Sequence, residues 1–140
     1  MLKEDVQLAV RQQIKYPHRH ELDLFEHKVK GILYKLKTYT KIQYPDQNNH
    51  QTEVKLTQLK KDQYQVEVKQ THSQAHFVFQ KGITTYTPYT TPQGIWELAV
   101  EVDELDVTFD ESLIIHIEYS LLMEEELLAE YQFDLEMMRI

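Results

Sequence analysis

The groups in this 140-residue sequence that could do chemistry are seven histidines, twenty-three carboxylates and nine tyrosines, and it has no cysteine. In His18-Arg19-His20-Glu21 two imidazoles stand at i and i+2. In a strand they would point the same way and, with a carboxylate from elsewhere, could share a divalent ion. The same residues also make an ordinary polar turn. His72 and His76 are four apart, a helical ligand spacing, but they flank a predicted turn. Neither pair is taken as a metal site, and no metal or other cofactor is expected. Asp103, Glu104 and Asp106, and then Asp110 and Glu111, group carboxylates at strand ends. General acid–base work needs two carboxyls held in a cleft, in environments that separate their pKa values, and strand-end acids are usually solvated. Ser73, Ser112 and Ser120 occupy no nucleophile elbow, and the three glycines form no phosphate-cradling loop. No catalytic residue is assigned, which leaves binding ahead of catalysis.

The remaining signal is polar groups set into apolar faces. Gln12 interrupts the series Val6, Leu8, Val10 and Ile14, and His27 lies between Phe25 and Val29 on one strand face. A lone histidine on such a face is more often a satisfied core residue than a ligand or base. Tyrosines are spread over nearly every predicted strand, and a buried tyrosine must find a partner for its hydroxyl. Lining a cavity and packing a solid core with hydroxyls at the rims both satisfy that need. Gln12, His27, Tyr34 and Tyr119 are the residues expected to face inward and bind a small, partly apolar ligand.

What must position these groups is a set of strands. Apolar residues recur at every second position from end to end. After Val6 to Ile14, Pro17 breaks the first ladder, and Phe25, His27 and Val29 run into Gly31. Ile32, Tyr34 and Leu36 then continue in the opposite parity, so a β-bulge or corner is expected at Gly31. Ile42 and Tyr44, Val54 and Leu56, Tyr64 to Val68, and Ala75 to Phe79 follow as hairpins, with Thr71 to Gln74 as a turn. Pro92 and Gly94 mark a further turn before Trp96 to Val102, and Leu105, Val107 and Phe109 again switch parity. Leu113, Ile115, Ile117, Tyr119 and Leu121 share one face of a further strand. Residues 121–138 are rich in helix formers, but every odd position from Leu127 to Met137 is apolar and every even one from Glu130 to Glu136 is polar, which favours a strand. The expected fold is an all-β, closed antiparallel meander barrel of about eight to ten strands, one domain spanning residues 1–140. Closure removes the exposed edges that so long a meander would otherwise carry.

Composition narrows the partners. A formal charge of −8 opposes nucleic acid, and no segment approaches the apolar run needed to export the chain or span a membrane. The lack of cysteine fits the cytoplasm. Residues 1–96 carry 14 Lys and Arg against 9 acids, whereas residues 97–140 carry Arg139 alone against 14 acids. Cross-strand pairing of the two halves is the simple explanation. An acidic face for a basic partner, or self-association as a homodimer through a patch of Ile95, Ile114, Leu122 and Leu128, is the alternative.

Several segments recur in a known order: Gly31-Ile32-Leu33-Tyr34, Ile42-Gln43-Tyr44, Val54-Lys55-Leu56-Thr57, Tyr89-Thr90-Thr91-Pro92-Gln93-Gly94 and Leu113-Ile114-Ile115-His116-Ile117-Glu118-Tyr119-Ser120-Leu121. Together, from Val6 to Met137, they resemble the YwiB-like family of small bacterial proteins (DUF1934). The resemblance implies a calycin-type, lipocalin-like β-barrel, and brings no established activity and no catalytic residues.

Overall fold

The period-two pattern becomes ten strands: β1 (Leu2–Lys15), β2 (Leu22–Lys35), β3 (Thr40–Pro45), β4 (Gln51–Lys60), β5 (Gln63–Gln70), β6 (Ala75–Gln80), β7 (Thr84–Thr91), β8 (Gly94–Phe109), β9 (Leu113–Met123) and β10 (Glu126–Arg139). This is a computed structural model, and it describes residues 1–71 and 75–140; the turn expected around His72 to Gln74 lies outside them. The strands form one antiparallel sheet in the order β6-β5-β4-β3-β2-β1-β10-β9-β8-β7. Every ladder but one therefore joins strands consecutive in sequence. The exception is β1 with β10, paired from Val6↔Arg139 to Lys15↔Glu130.

The sheet curls until its two end strands meet. There the Thr85 Oγ1 hydroxyl donates to the Val78 carbonyl at 2.6 Å, and Thr87 Oγ1 donates to the His76 carbonyl at 3.0 Å. Both bridges keep one antiparallel register, yet no backbone ladder joins β6 to β7 among the described residues. The barrel is nearly closed, and threonine side chains fill the place of the last ladder.

One end of the interior is packed solid. Val6 and Leu8 from β1, Leu33 from β2, Ile42 from β3, Ile115 and Ile117 from β9 and Met137 from β10 are all buried in a single cluster. Each such side chain contributes roughly 2 kcal/mol relative to exposure. The segment 121–138 is two strands and their turn, not a helix. Glu124 and Glu125 take positive φ values of 51° and 69° at the tip, as a two-residue hairpin turn matched to strand twist requires. Beyond a bulge at Leu127/Ala129, the side chains of Ala129, Phe133, Leu135 and Met137 point inward.

Two parity switches were expected, and only one is a bulge. Between Val102 and Glu104 the β8–β9 register does shift, turning Leu105, Val107 and Phe109 inward. At Gly31 it does not: β1 and β2 stay in register from Leu2↔Lys35 to Lys15↔Leu22. Gly31 and Leu33 continue the inward face, and Ile32 and Tyr34 lie on the outer one. The misleading even-numbered residues are apolar because aliphatic and aromatic groups also cover the outside here. Lys41 and Lys3 lie 4.9 Å and 5.7 Å from the centre of the Tyr34 ring. What Gly31 supplies is close approach. A Cβ there would sit 2.8 Å from the Gln43 carbonyl oxygen and 2.8 Å from Leu8 Cδ1.

Because the backbone oxygen cannot move aside cheaply, Gly31→Ala should destabilise the barrel by about 2 kcal/mol. Urea unfolding would read this as a lower midpoint at unchanged m-value.

Candidate functional site

The other end of the interior is hollow. β3 is too short to follow β2 back past Gly31, so residues Leu22 to Lys30 of β2 pair only with β1. The 46–50 loop covers part of the gap. Asp46 Oδ1 accepts hydrogen bonds from the backbone N–H groups of Asn48 and His50, both at 2.9 Å, and Gln47 Nε2 donates to the Glu26 carbonyl at 3.2 Å. Below the loop lies a cup of about 450 Å³, walled by inward side chains of β1 to β6, β9 and β10.

Three of the four expected site residues meet in this cup: Gln12, His27 and Tyr119. His27 Nε2 lies 3.1 Å from the Pro45 carbonyl, which can only accept, so that nitrogen carries the proton and fixes the ring against the loop. Burial, then the neighbouring Tyr131, pushes the Tyr119 hydroxyl well above its ordinary titration range, opposed by a hydrogen bond from Gln12. Tyr119 is a neutral donor at any physiological pH. The fourth residue, Tyr34, is excluded, since it faces outward on β2 between two lysines.

Several wall residues gave no signal in the sequence. Tyr44, Thr52 and Gln70 form a row across three strands, because Tyr44 pairs with Thr52 and Thr52 with Gln70. Thr52 is 2% exposed, and its Oγ1 is the buried side-chain atom without a hydrogen-bond partner among the described residues. A threonine in a strand is too ordinary to single out, and only the register reveals that this one faces a cavity. Burial, and secondarily the Asp46 charge, holds the Tyr44 hydroxyl protonated. Beside this row, on β6 next to Gln70's strand, begins a run of rings that continues across the interior to β9 and β10. Phe77 and Phe79 stack at 6.3 Å, Phe79 meets Tyr119 at 4.5 Å, and Tyr119 and Tyr131 stack at 4.9 Å with planes 2° apart.

The His18 and His20 pair does not build a site. His18 and His20 are exposed in the β1–β2 turn, outside any strand. His72 lies outside the described residues, and His76 is exposed on β6, 3.7 Å from Glu67. A cluster the sequence reading missed sits on the outer wall. His116 Nδ1 contacts Asp134 Oδ1, and Nε2 lies 3.1 Å from Glu118 and 3.9 Å from Glu104. The Val102/Glu104 bulge sets Glu104 beside Glu118. The only clue available was an outward parity of acids on three strands that prove to be neighbours.

The charge division is likewise resolved by topology. Lys41–Glu53 and Lys55–Glu67 pair across strands of the basic half, at 3.6 Å and 3.7 Å. Among the described residues no lysine or arginine is ion-paired with an acid of β8, β9 or β10. The two halves form separate walls that share the β1–β10 border, so cross-strand pairing explains only the basic half. Nor do Ile95 and Ile114 form one patch. They are 74% and 45% exposed but pair with Thr90 and Thr108 at opposite ends of β8, roughly 40 Å apart at the rise of a strand. Leu128 packs onto the core.

A ten-stranded antiparallel barrel, packed at one end and hollow at the other, is the class of protein these observations define. Over residues 8–135 the chain matches the family described as Domain of unknown function (DUF1934), and it belongs to that family. Its fold is similar to the crystal structure of the ywiB protein from Bacillus subtilis, with a TM-score of 0.75 and 15% identity, over 99% of this chain and 93% of that one. No curated protein matches the chain. No helix among the described residues is long and apolar enough to cross a membrane.

Partial burial lowers the His116 pKa, but the hydrogen bonds and charges of Asp134 and Glu118 outweigh it, and the net shift is upward from 6.5. The stability this gives is complete below 6.5 and lost as pH rises through the higher folded-state value. His116→Gln should therefore cost about 0.5–1 kcal/mol at acid pH and close to nothing in mild alkali, measured by urea denaturation across that window.

Proposed function

We propose that this protein is a non-enzymatic binding protein whose barrel mouth takes up one small, partly apolar molecule. The observation that carries this reading is the cup. Its volume of about 450 Å³ lies within the range of small-molecule sites, and it combines apolar walls with a few convergent polar groups, as such sites do. Binding is favoured over catalysis because the ionisable groups at hand are already committed. The imidazole of His27 is hydrogen-bonded to the Pro45 carbonyl, and the carboxylate of Asp46 holds its own loop. No serine or cysteine is among the residues that line the cup. A cytoplasmic setting goes with this reading, supported by the absence of cysteine.

A second reading, an interaction module using an outer face, draws on the acidic wall of β8 to β10. Joined to the basic half of another copy it would give a salt-sensitive homodimer. Sedimentation equilibrium at low and high salt distinguishes this from a monomer.

The cup itself is tested with Nile red, a neutral apolar dye. Saturable fluorescence enhancement at one dye per chain is expected, and Val10→Trp, which fills the cavity from β1, should weaken it about tenfold or more. Circular dichroism of the variant should be unchanged. Equal binding by the variant and the native protein would place the dye elsewhere and remove the support for this reading.

A further inference from the structure

We infer that the cup is selective by charge as well as by shape, taking a planar nitrogenous aromatic molecule, neutral or singly positive, and rejecting anions of the same size. This rests on the cup being a binding site and deepens that reading.

The first observation is the composition of the wall. No lysine or arginine lines the cup, and its one formally charged side chain is the carboxylate of Asp46. Asp46 is felt inside, because its charge adds to burial in holding the Tyr44 hydroxyl protonated. The barrel's basic groups lie elsewhere: Lys35 and Lys37 line a separate recess at the opposite end, with Phe109 and Asp110. An anion entering the hollow end would lose water and meet no counter-charge, which costs several-fold to many-fold in affinity. A cation meets both a carboxylate and the faces of aromatic rings.

The second observation is shape. Phe77, Phe79, Tyr119 and Tyr131 form one continuous aromatic run spanning β6, β9 and β10, with the two tyrosines 2° from parallel. Rings ordered in this way offer flat faces, which favour a planar guest over a flexible chain. The third is Thr52. It lines the cup, and its hydroxyl is buried and without a hydrogen-bond partner among the described residues. Leaving such a group unpaired is costly, and a ligand N–H or ring nitrogen would satisfy it as acceptor or donor. With the aromatic run and Thr52 both in the wall of the cup, the guest presents a ring face to the first and a nitrogen-bearing edge to the second.

Three probes with one ring system and different charges test this: indole, tryptamine and indole-3-acetate, each titrated calorimetrically and by displacement of Nile red. Tryptamine is expected to bind at least as tightly as indole, and indole-3-acetate about tenfold more weakly or not at all. Asp46→Asn keeps the side-chain oxygen that caps the loop and removes the charge. It should bring tryptamine to the level of indole and narrow the penalty on indole-3-acetate. Thr52→Val should weaken indole and tryptamine alike and leave their ranking against indole-3-acetate as in the native protein. If indole-3-acetate binds as well as tryptamine while Nile red still titrates, the charge selectivity is overturned and the cup stands as a site of another class. If neither Nile red nor any indole binds, the reading of the cup falls as well. Should Asp46→Asn fail to fold, the native three-probe ranking and Thr52→Val still decide the question.

Discussion

The pairing of β1 with β10 is the constraint on which the rest of this structure depends. All the other ladders are hairpins between strands that follow one another, with short loops and small closure costs. Only β1–β10 joins segments more than a hundred residues apart, from Lys15↔Glu130 to Val6↔Arg139. Without it there are two separate meanders, β1 to β6 and β7 to β10, each with one apolar face bare. The barrel interior exists once this single non-local ladder has formed, which assigns the slow, cooperative part of folding to the chain's first and last strands.

The same ladder explains how the two compositions are laid out in space. A meander keeps sequence neighbours as spatial neighbours, so a chain whose first part is basic and whose last part is acidic becomes a barrel with a basic wall and an acidic wall. Glu104, Glu118 and Asp134 then gather around His116 on the acidic wall, and Lys15 meets Glu130 only where that wall borders β1. The interior follows the same logic on a finer scale. Where β2 and β3 run together beyond Gly31 the core is filled, and where β3 ends the polar row of Tyr44, Thr52 and Gln70 and the aromatic run are left lining open space.

Much of the fold was legible because period-two burial is a direct imprint of the pleat. The odd positions from Leu113 to Leu121 and from Leu127 to Met137 are apolar throughout, and in the second stretch that pattern outweighs helix propensity. The change of parity after Val102, to which no bulge was assigned, coincides with the irregularity in β8. Parity failed at Gly31 because alternation reports which residues are apolar and not which side they face, and Ile32 and Tyr34 are apolar groups on the outside. That error carried Tyr34 into the candidate site. Gln12 and His27, polar interruptions of apolar faces, and Tyr119, one of the strand tyrosines, do reach the cup. Thr52 and Asp46 were not singled out, since a threonine in a strand and an aspartate in a polar loop are unexceptional until register and loop path bring them to the same hollow. The His116 cluster draws on three strands, and no spacing within one strand encodes it.

The join between β6 and β7 has a mechanical meaning. Nine ladders of this barrel resist widening through rows of backbone hydrogen bonds, whereas the tenth boundary is spanned by the hydroxyls of Thr85 and Thr87, each on a side chain that can rotate. β6 also carries Phe77 and Phe79, which wall the cup. The barrel is thus a hoop with a clasp rather than a rigid ring. Its compliance is concentrated at the clasp, next to the aromatic wall against which a guest would press.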